Sequence, residues 1–357
     1  MRRGSLVRGM GALCIGAAAL AASLARADAP RDDGAPLTPA EHRRGADQTF
    51  LTYPEWFLVF SPAEYAAFVR ESPPGEFPFL GHIRQFWQGY RAVREVTKDT
   101  RPPNYGYHAM NMVIGLSTTG EYGLRSAYET LVGRVTELAR RGPRTEEDLF
   151  AARVAQEYVE FIRVRPWYEF DFVGRLRRLW AETPMTGGDM LRKWERRYIL
   201  TTEYAGKAIY GWLIGKLTGA AYEAESTVTA VVVERLPPGI ESLLPELKVL
   251  ERFPDGSALI TVPRYEAFRD CSIELARRGA RFREIAGNRG DIMVSALVPA
   301  EWEAGSIARP YRILFAQPVL TRPSLRRIVV AVPVGSLDAA LGDLDSPPLR
   351  VEHVYDY

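Results

Sequence analysis

Cysteine and histidine are scarce in this chain, and that scarcity removes several classes of chemistry at once. Two cysteines occur, Cys14 and Cys271, with four histidines, His42, His82, His108 and His353. No histidine stands three residues after a glutamate, or in H-x-x-x-H or H-E-x-x-H spacing, the patterns by which a helix presents metal ligands. The positions three residues after Glu121 and Glu203 hold Leu124 and Gly206. No metal and no other cofactor is expected. Phosphate-cradling glycine loops are missing, and the run Gly115-Leu116-Ser117-Thr118-Thr119-Gly120 departs from the G-x-S-x-G elbow of a serine nucleophile. Cys271 falls in an amphipathic stretch, where a thiol serves as a small hydrophobe.

Long apolar runs are also lacking, with one exception at the start. Arg2, Arg3 and Arg8 precede a 16-residue apolar stretch, 9–24, and Ala25-Arg26-Ala27 follows it. This is the pattern of a secretory signal peptide with its cleavage site, and the stretch is short for a spanning helix. The expected mature N-terminus is Asp28 or Pro30. An uncleaved segment, giving membrane association, is the other possibility. The protein is therefore expected to be exported, either periplasmic or membrane-anchored facing the periplasm. An excess of charge is missing too. Losing 1–27 takes the basic residues from 46 to 42 against 44 acids, a net charge of −2. Nucleic acid has no electrostatic attraction to such a surface. Cys271 then stands alone, so no intramolecular disulfide can form in an oxidising compartment.

What the chain does have is an internal repeat. EYAAFVRESPPGEFPFLGHIRQFW (64–87) lies over EYVEFIRVRPWYEFDFVGRLRRLW (157–180) at an offset of 93, with eleven of 24 positions identical. Composition alone gives about one or two matches. EYGLRSAYETLVGRVT (121–136) lies over EYAGKAIYGWLIGKLT (203–218) at an offset of 82, with six of 16 identical. The change of offset places eleven extra residues in the first copy, within 88–120. Two copies are too few for a solenoid. They predict two helical units related by a pseudo-two-fold axis, like a homodimer made covalent.

The chain is expected to be α+β. After the signal peptide, 28–49 is rich in Pro, Gly and charge and reads as a flexible linker. Residues 50–222 form an all-α domain made of an internally duplicated helical unit, with copies 52–137 and 145–222. A break is expected near Ser61-Pro62 in the first copy, and one helix from 146 to about 163 in the second. Residues 226–357 alternate β-branched runs with short helical stretches. The order β-α-β-β then β-α-β predicts one ferredoxin-like α+β domain, with RILFAQ (312–317) as an extra strand.

Polar residues shared by both copies serve the shared fold first. Glu121–Arg125 and Glu203–Lys207 have i,i+4 spacing, and Arg84–Trp87 and Arg177–Trp180 are spaced for stacking at i,i+3. The same Arg84, Trp87, Arg177 and Trp180 would line a pseudo-symmetric pocket for an apolar or aromatic ligand. Function that the repeat does not explain belongs where the copies differ. In the first copy that is 101–111, read as an irregular loop presenting Tyr105, Tyr107, His108 and Asn111. His108 is the candidate acid or base, with Glu121 as its carboxylate. His82 is weaker, because its counterpart is Arg175.

Three functions remain open. The leading expectation is a non-catalytic docking or scaffolding module of the cell envelope, with an envelope protein as partner. The second is a binding protein for a lipid-like or aromatic small molecule held between the helical repeats. The third is an enzyme using His108. It ranks last because no nucleophile, metal or cofactor signature accompanies the histidine.

Overall fold

The computed structural model describes residues 35–100, 102–221, 228–303 and 309–356. The expected signal peptide lies outside them. The chain is α+β. In chain order its helices begin with α1 (Gln48–Leu51), α2 (Tyr53–Phe68), α3 (Phe79–Thr97), α4 (Tyr105–Tyr128) and α5 (Arg134–Ala139). They continue with α6 (Glu146–Ile162), α7 (Phe172–Glu182) and α8 (Met190–Ala221). Among the described residues no helix is long and apolar enough to cross a membrane. The chain divides into two compact units. The described parts of the first are 55–87 and 109–221, and those of the second are 35–54, 88–108 and 228–356.

The first unit is helical. A 3₁₀ turn, Pro74–Glu76, precedes α3, and another, Trp167–Glu169, precedes α7. A π-helical turn, Glu129–Gly133, joins α4 to α5, whereas α8 is unbroken over its 32 residues. Helix α6 starts where its cap chemistry places it: Thr145 and Asp148 form a capping box, with Glu146 and Glu147 completing an acidic first turn. The break expected near Ser61-Pro62 is not there. Helix α2 runs through Pro62. A mid-helix proline costs about 3 kcal/mol. Here the turn is held by a buried face of Phe57, Phe60, Ser61 and Glu64, which outweighs the lost backbone bond.

In the second unit the strands are β1 (Val228–Val233), β2 (Lys248–Arg252), β3 (Ala258–Pro263), β4 (Phe282–Ile285), β5 (Asp291–Pro299), β6 (Arg312–Pro318), β7 (Leu325–Pro333) and β8 (Arg350–Tyr355). Helices α9 (Ile240–Leu243), α10 (Glu266–Arg277) and α11 (Leu337–Leu344) lie between them. The single sandwich expected from the sequence is replaced by two four-stranded antiparallel sheets, ordered β2-β3-β1-β4 and β6-β7-β5-β8. The Asn288-Arg289-Gly290 turn carries the chain from one sheet to the other.

The two sheets share even their irregularities. The β2–β3 ladder skips one residue after Val249↔Ile260, and β6–β7 skips one after Ile313↔Val330. The β1–β4 ladder shifts after Val232↔Glu284, and β5–β8 after Ser295↔His353. Their inner faces, with Val231, Ile260, Phe282, Val294, Val330 and Val354, join Phe268 of α10 and Leu341 of α11 in one core.

Part of the expected linker is built into this unit. Leu37 packs on Ala230, Val232 and Leu259 of the first sheet's other face. The amides of Leu37 and Thr38 donate to the buried Glu284 carboxylate at 3.0 and 2.9 Å. Thr49 Oγ1 donates to the Tyr355 carbonyl at 2.7 Å and accepts from the Met293 amide at 2.9 Å. The polar residues of the lead-in thus satisfy buried polar groups of the sheets, a use that composition does not reveal.

Candidate functional site

The first unit is organised around two aromatic boxes of the same geometry. Tyr65 and Phe77 meet edge to face with centroids 5.0 Å apart, and Tyr158 and Phe170 do so at 5.2 Å. Phe77–Phe79 and Phe170–Phe172 stand at 4.8 and 4.9 Å. Phe68–Phe77 and Phe161–Phe170 stand at 5.6 and 5.4 Å. A cation lies over each tyrosine: Arg125 4.4 Å from the Tyr65 centroid, Lys207 5.5 Å from that of Tyr158.

The cations cross between the boxes. Arg125 Nη2 reaches Glu203 Oε2 at 3.3 Å, instead of the Glu121 expected from i,i+4 spacing. Lys207 Nζ sits between Glu121 Oε1 at 3.2 Å and Glu203 Oε1 at 3.1 Å. Burial pushes the Glu203 carboxyl up, but the charges of Arg125 and Lys207 win and hold it at about 2. Glu121, named as a catalytic carboxylate, is occupied by this ion pair.

Each box has a tryptophan anchor. Trp87 Nε1–H donates to Thr119 Oγ1 at 2.9 Å, and Trp180 Nε1–H to Thr201 Oγ1 at 3.0 Å. The cation over Trp180 is Arg197, 5.1 Å from its ring, rather than Arg177. Arg84 and Arg177 are both exposed. Trp87 and Trp180 therefore pin α3 and α7 to the helices that follow, and no shared pocket forms from the four predicted residues.

Two features escaped the sequence reading. The first is a buried polar knot among α2, α3 and α4. Ser61 Oγ lies 2.9 Å from His82 Nδ1 and 2.7 Å from Tyr122 Oη, and His82 Nε2 lies 3.6 Å from Glu64 Oε2. The order Ser-His-Glu matches that of a nucleophile relay, but Ser61 and His82 are each 1% exposed, so no substrate atom reaches the hydroxyl. At the sequence offset of 93, Val154 stands opposite Ser61, and Arg175, opposite His82, pairs with Glu157 at 2.6 Å.

The second is a buried charged face at the start of α8. Arg192, Lys193, Arg196 and Arg197 are all buried there. Asp148 accepts from Arg192 at 2.8 Å, Glu129 from Arg196 at 2.8 Å and Glu147 from Arg197 at 2.8 Å. Lys193 lies 3.6 Å from Glu147. Such a network holds geometry, because removing any one partner strands a buried charge.

The predicted 101–111 loop is mostly helix. Asn104 Oδ1 caps α4 by accepting the Tyr107 amide at 3.2 Å, so Tyr105, Tyr107, His108 and Asn111 lie on the helix itself. Tyr105 is exposed and Asn111 fully buried, so the four do not converge on one opening. Arg101 lies outside the described residues. His108 is half-buried, with Nδ1 3.2 Å from Tyr90 Oη. Burial lowers its pKa, Asp47 opposing and Arg94 assisting. Burial raises that of Asp47, opposed chiefly by hydrogen bonds, among them one from Asn104. At neutral pH the ring is uncharged, a hydrogen-bonding member of this cluster.

Two hollows open on the surface. One, of about 340 Å³, is lined by Gly75, Phe77, Phe79, Ser126, Glu129 and Arg134 and lies beside the π turn. The other, of about 520 Å³, lies in the second unit among Glu234, Arg235, Asp255, Arg281 and Arg283. There Arg283 pairs with Asp255 at 2.8 Å. Among the described residues no group of three or more His, Cys, Asp or Glu is placed to hold a metal ion. Comparison with protein-family models, with curated proteins and with solved structures gives no match.

Proposed function

We propose that the protein is an exported, non-catalytic docking module whose helical half binds an apolar helix of a partner protein. One observation carries the reading. Leu116, Leu124, Leu131 and Leu138, eight, seven and seven residues apart along α4 and α5, are 61, 76, 73 and 86% exposed. Met112 and Val135 fill the same stripe. Leu191, Trp194, Tyr198, Ile209 and Trp212 form a second exposed stripe along α8. An isolated exposed leucine needs no explanation, but a stripe at helical spacing does. Arg134 is a charged residue between Leu131 and Leu138, and α8, at 32 residues, is about 48 Å long. A long, narrow, apolar track at this spacing matches a helix that interdigitates along it.

The same reading takes the helical half as two copies of one unit. The offsets of 93 and 82, the matched aromatic boxes and the reciprocal Arg125–Glu203 and Lys207–Glu121 pairs support it. It takes the second unit as two ferredoxin-like sheets in tandem, each with a helix between its third and fourth strands. The shared strand order and matched bulges support that.

The test uses a synthetic heptad peptide with leucine at its core positions, and the mature protein carrying Leu124→Asp and Leu131→Asp. The wild type is expected to bind the peptide, and the variant to bind at least tenfold more weakly with an unchanged thermal midpoint. A variant that unfolds would mean the chain itself covers the stripe, and a wild type that ignores the peptide would overturn the reading. A dimer by light scattering that the variant abolishes would replace the partner with a second copy. Flotation with liposomes would replace it with a membrane.

A further inference from the structure

The hollow beside the π turn has a counterpart that is already filled. At the offset of 93, Gly75 corresponds to Tyr168, and at the offset of 82, Glu129 and Gly133 correspond to Gly211 and Gly215. In the second copy Tyr168 lies on α8. A Cβ on Gly211 would stand 3.2 Å from the Tyr168 carbonyl oxygen, and one on Gly215 would stand 3.8 Å from ring atom Cδ2. The glycines are what let the tyrosine lie flat there. In the first copy the tyrosine is replaced by Gly75, and Glu129 replaces the glycine beneath it. Glu129 turns to Arg196, at 2.8 and 3.1 Å, and the helix widens into its π turn at this point. The space is left as the 340 Å³ hollow, reached by only the edges of the buried Phe77 and Phe79, 4 and 2% exposed. Ser126, Thr130 and Arg134 line it with hydrogen-bonding groups.

We propose that this hollow is a binding slot for a phenolic ring, the group that Tyr168 supplies to the second copy from within the chain. Pro78 and Leu80 with the edges of Phe77 and Phe79 provide apolar contact, and the hydroxyls of Ser126 and Thr130 and the Arg134 guanidinium, whose Nε donates to the Gly75 carbonyl at 3.1 Å, are the polar groups for the phenol oxygen. The slot rests on the hollow beside Gly75, the phenolic ligand on the comparison with Tyr168, and neither depends on the apolar stripes. Its ligand is either a free phenol or a tyrosine side chain of a partner.

The experiment is calorimetry of the mature protein with p-cresol and with N-acetyl-tyrosine amide. Wild type is expected to bind one equivalent. Binding of p-cresol alone identifies a small molecule, and binding of both identifies a tyrosine side chain. Gly75→Tyr is expected to weaken binding at least tenfold, because it closes the first copy as Tyr168 closes the second. The new Cβ would stand 3.0 Å from Arg134 Cγ, so this flexible side chain has to yield. Tyr168→Gly is expected to raise the stoichiometry from one to two, and it decides the matter if Gly75→Tyr does not fold. No saturable binding at millimolar ligand, or full binding by folded Gly75→Tyr, would overturn the slot. One equivalent bound by both wild type and Tyr168→Gly, and lost in Gly75→Tyr, would keep the slot and refute the equivalence of the copies.

Discussion

Replacing Glu203 by glutamine tests whether the crossed ion pairs hold the helical unit together. Glu203 alone receives both cations, Arg125 at 3.3 Å and Lys207 at 3.1 Å, while Glu121 shares Lys207 from a half-exposed position. The Glu203 carboxyl sits at about 2 rather than 4.5, a difference worth about 3 kcal/mol of stability at neutral pH, at about 1.4 kcal/mol per unit. Stranding one side of a buried pair costs about 3–5 kcal/mol by an independent route. Glu203→Gln is therefore expected to lower the unfolding free energy by about 3 kcal/mol at pH 7. Glu121→Gln, at a more exposed pair, is expected to cost under about 1 kcal/mol. Urea unfolding followed by tryptophan fluorescence measures both. The sign with pH follows from the depressed folded-state value. The unfolded carboxyl takes up its proton first, so the contribution is complete above about pH 5 and disappears as the pH falls towards 2. Wild type and Glu203→Gln should converge across that window. Equal losses for the two glutamine variants, or a gap undiminished at pH 2, would refute the reasoning.

Two further outcomes concern the second unit. Asp356 is buried, with Thr229 Oγ1 donating to it at 2.7 Å and Arg264 only 3.8 Å away, and burial pushes it up to about 6. Its folded-state value lies above the unfolded one, so stability falls as pH rises from about 4 to 6, by about 3 kcal/mol. Asp356→Asn should therefore raise the thermal midpoint at pH 8 and leave it unchanged at pH 4; no gain at pH 8 would contradict the assignment. The buried Cys271 thiol is pushed up to about 11, chiefly by burial. It should react with a disulfide reagent only after unfolding, and rapid labelling of the native protein would show that α10 opens.

Much of the helical half was legible because its signal is local or repeated. The E-F-x-F-x-G-x-x-R-x-x-W segments occupy matching places in two aromatic boxes, and Thr145 with Asp148 starts α6 as its cap predicts. What was missed shares one cause: polarity used inside. Hydropathy marks Arg192, Lys193, Arg196 and Arg197 as a solvated face, yet all four are buried, because their acids come from other helices. The lead-in was read as free for the same reason, although Thr38 and Thr49 satisfy groups far away in the chain. Ser61 and His82 lie 21 residues apart and meet only after α2 and α3 pack. The run RILFAQ (312–317) located β6, but assigning strands to one sheet or two needs pairing, which periodicity does not carry.

The differences between the copies separate into two kinds, and the separation bears on where function sits. Exchanging Val154 and Arg175 for Ser61 and His82 changes the partner of one glutamate position, Glu157 with Arg175 and Glu64 with His82. The exchange is closed within the copy, since Ser61, His82 and Tyr122 bond one another in place of the Glu157–Arg175 pair. Nothing outside the chain is needed to complete it. The exchange of Tyr168 and Gly211 for Gly75 and Glu129 is different. Glu129 is satisfied by Arg196, but a hollow of about 340 Å³ remains beside Gly75. An unfilled apolar surface forfeits contacts that a second tyrosine would have supplied at little cost to the fold. On the proposed duplication, the first copy therefore carries a loss that only a ligand recovers, which makes the Gly75 slot a better place to look for specificity than the buried histidine, whose chemistry is complete without one.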